Sequence, residues 1–417
     1  MRNLIKSIRT GHPGTLFSSF LYFDVSFMVW ILLGPLSVFI AADLNLSPGR
    51  KGLLVAIPIL SGAALRIFMG FLSDHVGPKK IGMAGLALTL LPLSIGWLAA
   101  HTFTAFCAVG ILLGVAGSSF AVALPLASRW YPREHQGLVM GIAGAGNSGT
   151  AIAALLAPRL AERFGWNGVF GIAMIPVTIV FIIFVIFAKE VPGNTRPAAL
   201  FDHFKVLREG DCWWFNFFYS ISFGGFVGLA SYLVIFFHDE YHLSRVMAGN
   251  LTALCVFSGS LVRPFGGYLA DRFGGTSVLT FLFPLVGLCL IGVGMGPAIG
   301  AAVGLFVISM ACLGMANGSV FQIVPQRFRD EIGIVTGIVG ASGGVGGFFL
   351  PTLLGGLKGR LGTAAPGLMI FGSIAIFAAA LLQAIYRWSW KSTWLADYLP
   401  SPVLSTGRVQ MVVAYND

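Results

Sequence analysis

Two arginines stand in stretches apolar enough to lie inside a membrane. Arg66 occupies Ser61-Gly-Ala-Ala-Leu-Arg-Ile-Phe-Met-Gly70, and Arg263 occupies Ser258-Gly-Ser-Leu-Val-Arg-Pro-Phe-Gly-Gly267, an offset of 197 residues. A charged side chain at membrane depth costs several kcal/mol, so it is expected to have a functional partner. Neither arginine has an acidic residue nearby in its own segment. A guanidinium is planar, permanently charged and presents a fork of N–H donors. One such group from each copy of a repeat could hold a small planar anion between them, and the missing counter-charge would then be the ligand.

A second repeated feature is rich in glycine. Gly144-Ala-Gly-Asn-Ser-Gly149 is matched by Gly340-Ala-Ser-Gly-Gly-Val-Gly-Gly347 at an offset of 196. The first copy fits G-x-G-x-x-G. A dinucleotide site needs that pattern between a strand and a helix, and here it lies within a continuous apolar helix. Glycines so spaced let helices approach closely or bare their backbone to a small ligand. Gly144, Gly146, Gly343 and Gly344 are the candidates for the second role, with helix packing as the alternative. Asn147 adds an amide that can donate and accept. Each arginine is followed eight residues later by an aspartate (Asp74, Asp271) and then by a glycine (Gly77, Gly274). The five cysteines are scattered and read as apolar packing residues. No metal-ligand spacing is found, and neither metal nor cofactor is expected.

The elements that carry these residues follow from composition. Of 417 residues 56% are hydrophobic and 10% charged, with a mean hydropathy of +0.86. Soluble domains carry roughly 25% charge, so this is a polytopic membrane protein whose partner is the lipid bilayer. Its fold class is an all-α membrane protein. A crossing needs about 20 apolar residues, which predicts twelve helices over 16–41, 53–74, 80–100, 103–128, 137–161, 167–188, 213–238, 246–270, 276–296, 299–324, 332–356 and 365–388. The basic N-terminus (Arg2, Lys6, Arg9) leads into the first helix with no visible cleavage site, which reads as a membrane span and not a cleaved signal. The expected organisation is an N-terminal half (1–188), a polar linker (189–211), a C-terminal half (212–390) and a tail (391–417). With both termini on one side, that side holds 17 of the 26 Lys and Arg residues and the other side 7. Positive-inside then places both termini in the cytoplasm. The net charge of +10 collects in short loops, so no nucleic-acid partner is implied.

Tandem parallel halves of six helices are the major facilitator architecture. Gly70-Phe-Leu-Ser-Asp-His-Val-Gly-Pro-Lys-Lys80 resembles that superfamily's cytoplasmic motif, and Gly267-Tyr-Leu-Ala-Asp-Arg-Phe-Gly274 resembles its second copy. The resemblance makes Asp74, Asp271, Gly77 and Gly274 gating residues. More specifically, Ala143–Pro158 and Gly340–Pro351 resemble the two glycine-rich signatures of the nitrate/nitrite porter family. In that family's pattern Arg66 and Arg263 are the substrate-binding pair. Phe218-Tyr-Ser-Ile-Ser-Phe-Gly-Gly225 places Tyr219 and Phe223 as contacts, and Gly117-Ser-Ser-Phe120 places Phe120. The aromatic faces would sandwich a planar anion, with core or lipid-facing packing as the alternative for each. The resemblance implies a nitrate and nitrite transporter of the inner (cytoplasmic) membrane, not an enzyme, working as a monomer.

The coupling stays open. Asp24 is the single acidic residue placed within a helix away from the loop ends, near the cytoplasmic start of the first, where an interfacial position is the alternative reading. His238 falls at the outer end of the seventh. Lack of a central carboxylate favours nitrate/nitrite exchange. Against that, Phe23-Asp-Val-Ser-Phe-Met-Val-Trp30 is more similar to symporter-type members, with protons as the second partner. The rival functions are a carrier of another small anion such as formate or oxalate, a non-transporting anion sensor, and a membrane enzyme, for which no catalytic set is present.

Overall fold

The computed structural model describes residues 10–131, 139–140, 142–190, 205–328 and 332–395. Residues 1–9, Gly137, the loop pairs Arg133–Glu134 and Arg329–Asp330, most of the linker 189–211 and most of the tail 391–417 lie outside them. Every regular element among the described residues is helical. They include eleven segments long and apolar enough to cross a membrane. One of these, Ile142–Phe187, runs for 46 residues. It breaks at Gly165, where φ is 74°. Two expected spans, 137–161 and 167–188, meet at that break.

The first repeat contributes α1 (Pro13–Trp30), α2 (Leu33–Asp43), α3 (Pro48–Val76), α4 (Pro78–Leu98), α5 (Phe103–Gly117), α6 (Phe120–Ser128) and α7 (Gly149–Phe187). The second contributes α8 (Gly210–Tyr241), α9 (Arg245–Phe273), α10 (Gly275–Gly294), α11 (Ile299–Arg327), α12 (Ile332–Leu361) and α13 (Ala365–Trp388). Starts and stops follow local chemistry. Ser47 caps α3 by accepting from the Arg50 N–H, and Ser244 caps α9 by accepting from the Met247 N–H. Gly77 and Gly274 end α3 and α9 at φ 109° and 83°. These values favour glycine at both repeat-equivalent positions.

Three helices expected to be continuous are interrupted, all in the first repeat. The 16–41 span breaks between α1 and α2 at Ile31–Leu32. Pro35 lacks an N–H, and its ring crowds the carbonyl four residues earlier, at Ile31. The 103–128 span breaks between α5 and α6 at Ser118–Ser119. There the Ala121 N–H turns to the Ser118 carbonyl, leaving the Gly117 carbonyl for a side chain. The glycine-rich stretch forms a 3-10 turn, Ala145–Ser148, before α7 begins.

Glycines set the contact between the repeats. The antiparallel pair α3 and α12 touches at four levels: Gly52 on Pro351 and Gly355, Ile59 on Gly347, Ala63 on Gly344, and Arg66 on Gly340. Gly249 of α9 lies against Ala154 and Pro158 of α7, and Gly34 of α2 lies on Ser231 of α8. Lys51 and Asp239 add an ion pair of 2.7 Å at the α3 N-terminal end. Past Arg66 the contact opens. A Cβ on Gly337 or Gly267 would meet no atom within 4 Å. The repeats are therefore closed toward the Pro48 end of α3 and splayed toward its Gly77 end.

A Cβ at Gly52 would sit 2.5 Å from the Pro351 carbonyl oxygen, a backbone atom that cannot swing aside. Gly52→Ala should therefore lower the melting temperature in detergent, by the equivalent of about 1–3 kcal/mol. Gly49→Ala meets open space and should hold or raise the melting temperature, since alanine is favoured over glycine in a helix. Equal effects from the two would refute the close-approach account.

Candidate functional site

Arg66 projects from α3 into the centre of the bundle and is 1% exposed. Its Nε donates to the Gly117 carbonyl at 3.0 Å, the acceptor freed by the break between α5 and α6. Its Nη1 donates to the Gly340 carbonyl of α12 at 2.7 Å. Four aromatic rings surround it, Phe223 at 4.9 Å, Trp30 at 5.2 Å, Phe120 at 5.6 Å and Phe27 at 5.9 Å from Cζ to the ring centroid. Desolvated cation–π contacts of this kind are each worth up to about 2 kcal/mol. Nη2 remains buried with no hydrogen-bond partner among the described residues.

Arg263 projects from α9, is 8% exposed, and also has a buried Nη1 without a partner. Phe120 joins the two sites, because its ring lies within 6.0 Å of both guanidinium carbons. The two cations are thus less than about 12 Å apart. At an effective dielectric of about 20 their repulsion is at least about 1 kcal/mol. Tyr219 is fully buried within Coulombic reach of both arginines. It stacks on Phe223 at 5.2 Å with an interplanar angle of 6°. Asn147 lies on the 3-10 turn, which packs between α1 and the Arg263 helix. It is completely buried, and neither its Oδ1 nor its Nδ2 has a partner among the described residues. Buried polar atoms are normally satisfied. The spare donors of Arg66, Arg263 and Asn147 therefore suit a small oxyanion.

The structure brings Arg66, Arg263, Phe120, Tyr219 and Phe223 together. It divides the four candidate glycines. Gly144 faces the site, since a Cβ there would lie 3.9 Å from Arg263 Cζ. Gly343 lies under the stacked pair, where a Cβ would come within 2.6 Å of Tyr219 and 2.9 Å of Phe223. Gly344 packs on Ala63 and Gly146 packs on Phe23 and the Asp24 backbone, so these two serve helix approach. Away from the site, Asp74 pairs with Arg129 at 2.6 Å. The Glu190 carboxylate accepts from the Lys79 N–H at 3.2 Å beside Gly77. Asp271 is exposed.

Sequence reasoning missed Phe27, Trp30 and Phe321. Phe321 of α11 packs edge-on to Tyr219 at 4.8 Å and faces Phe120 at 6.1 Å. Trp30 wedges its indole against Gly62 and Gly117 and donates to the Pro58 carbonyl at 2.6 Å. A signal for the first was present. Phe23-Asp-Val-Ser-Phe27 aligns with Tyr219-Ser-Ile-Ser-Phe223 at the repeat offset of 196. Phe27 and Phe223, equivalent by that offset, both lie on Arg66.

Known proteins resemble this chain over most of its length. Residues 18–351 match the Major Facilitator Superfamily. The chain is 34% identical to the nitrite extrusion protein of Bacillus subtilis (strain 168) over 363 residues, 86% of this chain and 91% of the relative. It is 33% identical to the probable nitrate transporter NarT of Staphylococcus haemolyticus (strain JCSC1435), covering 87% and 94%. Against the Staphylococcus aureus (strain JH9) protein of the same name identity is 32%, covering 85% and 91%. Proteins of this kind move solutes and are not enzymes. With its repeated arginines, its repeated glycine-rich helices and these relatives, the chain belongs to the nitrate/nitrite porter family of the major facilitator superfamily.

Proposed function

We propose that this protein carries nitrate and nitrite across the cytoplasmic membrane by alternating access, the anion being held between Arg66 and Arg263. The observation that carries this reading is the pair of buried guanidinium groups, one per repeat. They share Phe120 as a neighbour, and each keeps a buried N–H group without a protein partner. In this reading twelve crossings form two six-helix halves, 1–188 and 212–390. The linker 189–211, the tail 391–417 and both termini are cytoplasmic, and the carrier acts as a monomer. The relatives' names support the choice of anion.

The chemistry of the cycle follows from the site. A planar oxyanion accepts from the free edges of both guanidinium forks and from the Asn147 amide. Its single negative charge offsets the repulsion between the cations. Tyr219, Phe223 and Phe120 present ring faces and keep water out. In this account the splayed Gly77 end faces the cytoplasm. Opening toward the other side requires the α3–α12 glycine ladder and the Lys51–Asp239 pair to part, while Asp74, Arg129, Gly77 and Gly274 form the contacts of the opposite gate. Either exchange of nitrate for nitrite or proton symport can reset such a site.

Nitrate counterflow into nitrite-loaded proteoliposomes tests the function. Uptake at rates indistinguishable from empty liposomes would favour the sensor reading, and saturable formate or oxalate uptake without nitrate uptake would favour another anion. Within that assay Arg66→Lys and Arg263→Lys should each lower nitrate uptake about 10–100-fold, because an ammonium cannot present the planar fork. Near-normal uptake in both variants at equal protein level would remove the central-site assignment. Asn147→Ala deletes an amide that bonds no atom of the described residues. It should weaken nitrate binding about 5–10-fold while leaving the melting temperature nearly unchanged. A large fall in melting temperature with unaltered affinity would make Asn147 a packing residue instead.

A further inference from the structure

Asp24 lies farther along its helix than its place in the sequence implies. His12 caps α1 by accepting from the Thr15 N–H at 2.9 Å, and Pro13 occupies the first turn. The helix therefore starts at residue 13 and not at 16. Asp24 lies eleven residues in, about 16 Å along the axis. The span Pro13–Asp43 has 31 residues. This is about 15 Å longer than a hydrocarbon core of roughly 30 Å. Asp24 is thus well within α1, one turn below Phe27 of the Arg66 cage, and it is half-buried.

Its partner is informative. Ser148 Oγ donates to Asp24 Oδ1 at 2.7 Å. Ser148 is the residue next to Asn147 on the same 3-10 turn. The close approach is built in, since Gly146 and Gly149 lie directly on the α1 backbone at Asp24. At the repeat-equivalent position of α8 stands Ser220, whose hydroxyl donates to the Ser342 carbonyl of α12 at 2.8 Å. A neutral hydroxyl thus suffices for the equivalent packing in the second repeat, so the charge in the first repeat has another use.

Among the described residues, the groups facing this carboxylate leave it without a counter-ion. Burial, the Ser148 hydroxyl and the Gly149 N–H are what act on it. Among the helices packed on α1, α7 carries Arg159, Glu162 and Arg163, α4 carries Lys79 and Lys80, and α5 carries Cys107. Arg129 follows α6. Arg159 bonds the Leu155 carbonyl and Lys79 the Val185 carbonyl, while Arg129 pairs with Asp74. Glu162, Arg163 and Lys80 are exposed. The 3-10 turn brings no charge. Arg66 reaches α1 only through the rings of Phe27 and Trp30, and Arg263 lies beyond the turn.

We propose that Asp24 is the proton-binding residue of the carrier, and that it couples proton and anion movement through the Asp24–Ser148 hydrogen bond to the turn bearing Asn147. The inference rests on the anion-transport reading above and settles its coupling in favour of symport. A water proton adds to the Asp24 carboxylate when the site opens outward, and returns to cytoplasmic water when it opens inward, with no other bond made or broken. The linkage is reciprocal. An ionised Asp24 repels the anion, so protonation strengthens anion binding and bound anion strengthens protonation. In the empty carrier the ionised carboxylate offsets part of the charge of the two arginines and eases the return step.

Purified protein in liposomes containing a trapped pH dye, with nitrate as the probe, tests this. In the wild type an acid-outside gradient should drive nitrate accumulation, and added nitrate should acidify the lumen. Asp24→Asn should keep measurable nitrate counterflow while losing at least tenfold of both gradient-driven uptake and nitrate-evoked acidification. Asp24→Glu should recover part of each. Ser148→Ala removes a donor that stabilises the ionised carboxylate, so half-maximal uptake should move to a higher external pH, by about one unit. This variant decides the matter should Asp24→Asn not fold. Acidification that persists in Asp24→Asn, an unmoved midpoint in Ser148→Ala, or wild-type counterflow without any proton movement overturns the inference while leaving anion transport standing. No nitrate counterflow in the wild type overturns both.

Discussion

A guanidinium buried in a low-dielectric bundle must be supplied with acceptors, and much of the centre of this molecule is arranged around that requirement at Arg66. Two of its N–H groups take backbone carbonyls, Gly117 from the first repeat and Gly340 from the second. The side chain therefore bridges the repeats without using a carboxylate. An acidic partner would have neutralised the site and made it useless for an anion. Carbonyl dipoles and ring faces instead stabilise the cation while leaving its net charge in place. The break between α5 and α6 belongs to the same constraint, because a continuous helix would have used the Gly117 carbonyl internally.

The two repeats then divide the labour unequally. In the second, α8, α9, α11 and α12 run through the site as continuous helices. In the first, the helix breaks at Ile31–Leu32, Ser118–Ser119 and Ala145–Ser148 fall on the segments that carry Trp30, Phe120 and Asn147. Freed backbone groups cluster in that repeat. In the proposed cycle the rigid second repeat supplies a flat aromatic wall through Tyr219 and Phe223. The first supplies the adjustable donors and, at Asp24, a carboxylate one turn from Phe27.

Much of this was legible in the chain. The arginine pair comes together as the repeat implied, and Phe120, Tyr219 and Phe223 join it as the family resemblance implied. Charge and hydropathy reveal such features because a membrane interior tolerates few exceptions. The helix breaks were less accessible. Pro35 could have marked the first, but the second depends on a side chain arriving from another helix. The glycines were ambiguous for a related reason. Gly144 and Gly344 look alike in sequence, yet one faces Arg263 and the other Ala63. Which face a glycine presents depends on the helix rotation set by its neighbours.

The glycine ladder of α3 and α12 also bears on how motion is confined. The contact is backbone on backbone at Gly52, while at Gly344 and Gly347 the side chains of Ala63 and Ile59 lie against a bare glycine, so the surfaces are small. Parting such a contact does not require large side chains to repack, so the barrier to separation stays low. The ladder ends where Arg66 meets Gly340, beside the aromatic cage. An anion drawn to the free edge of that guanidinium therefore acts at the point where the closed and splayed regions join. Binding there shifts the balance between the two arrangements only to the extent that the anion contacts differ between them. The contact most exposed to that difference is the distance from Arg66 to Arg263, because the two residues belong to different repeats and have the ring of Phe120 between them.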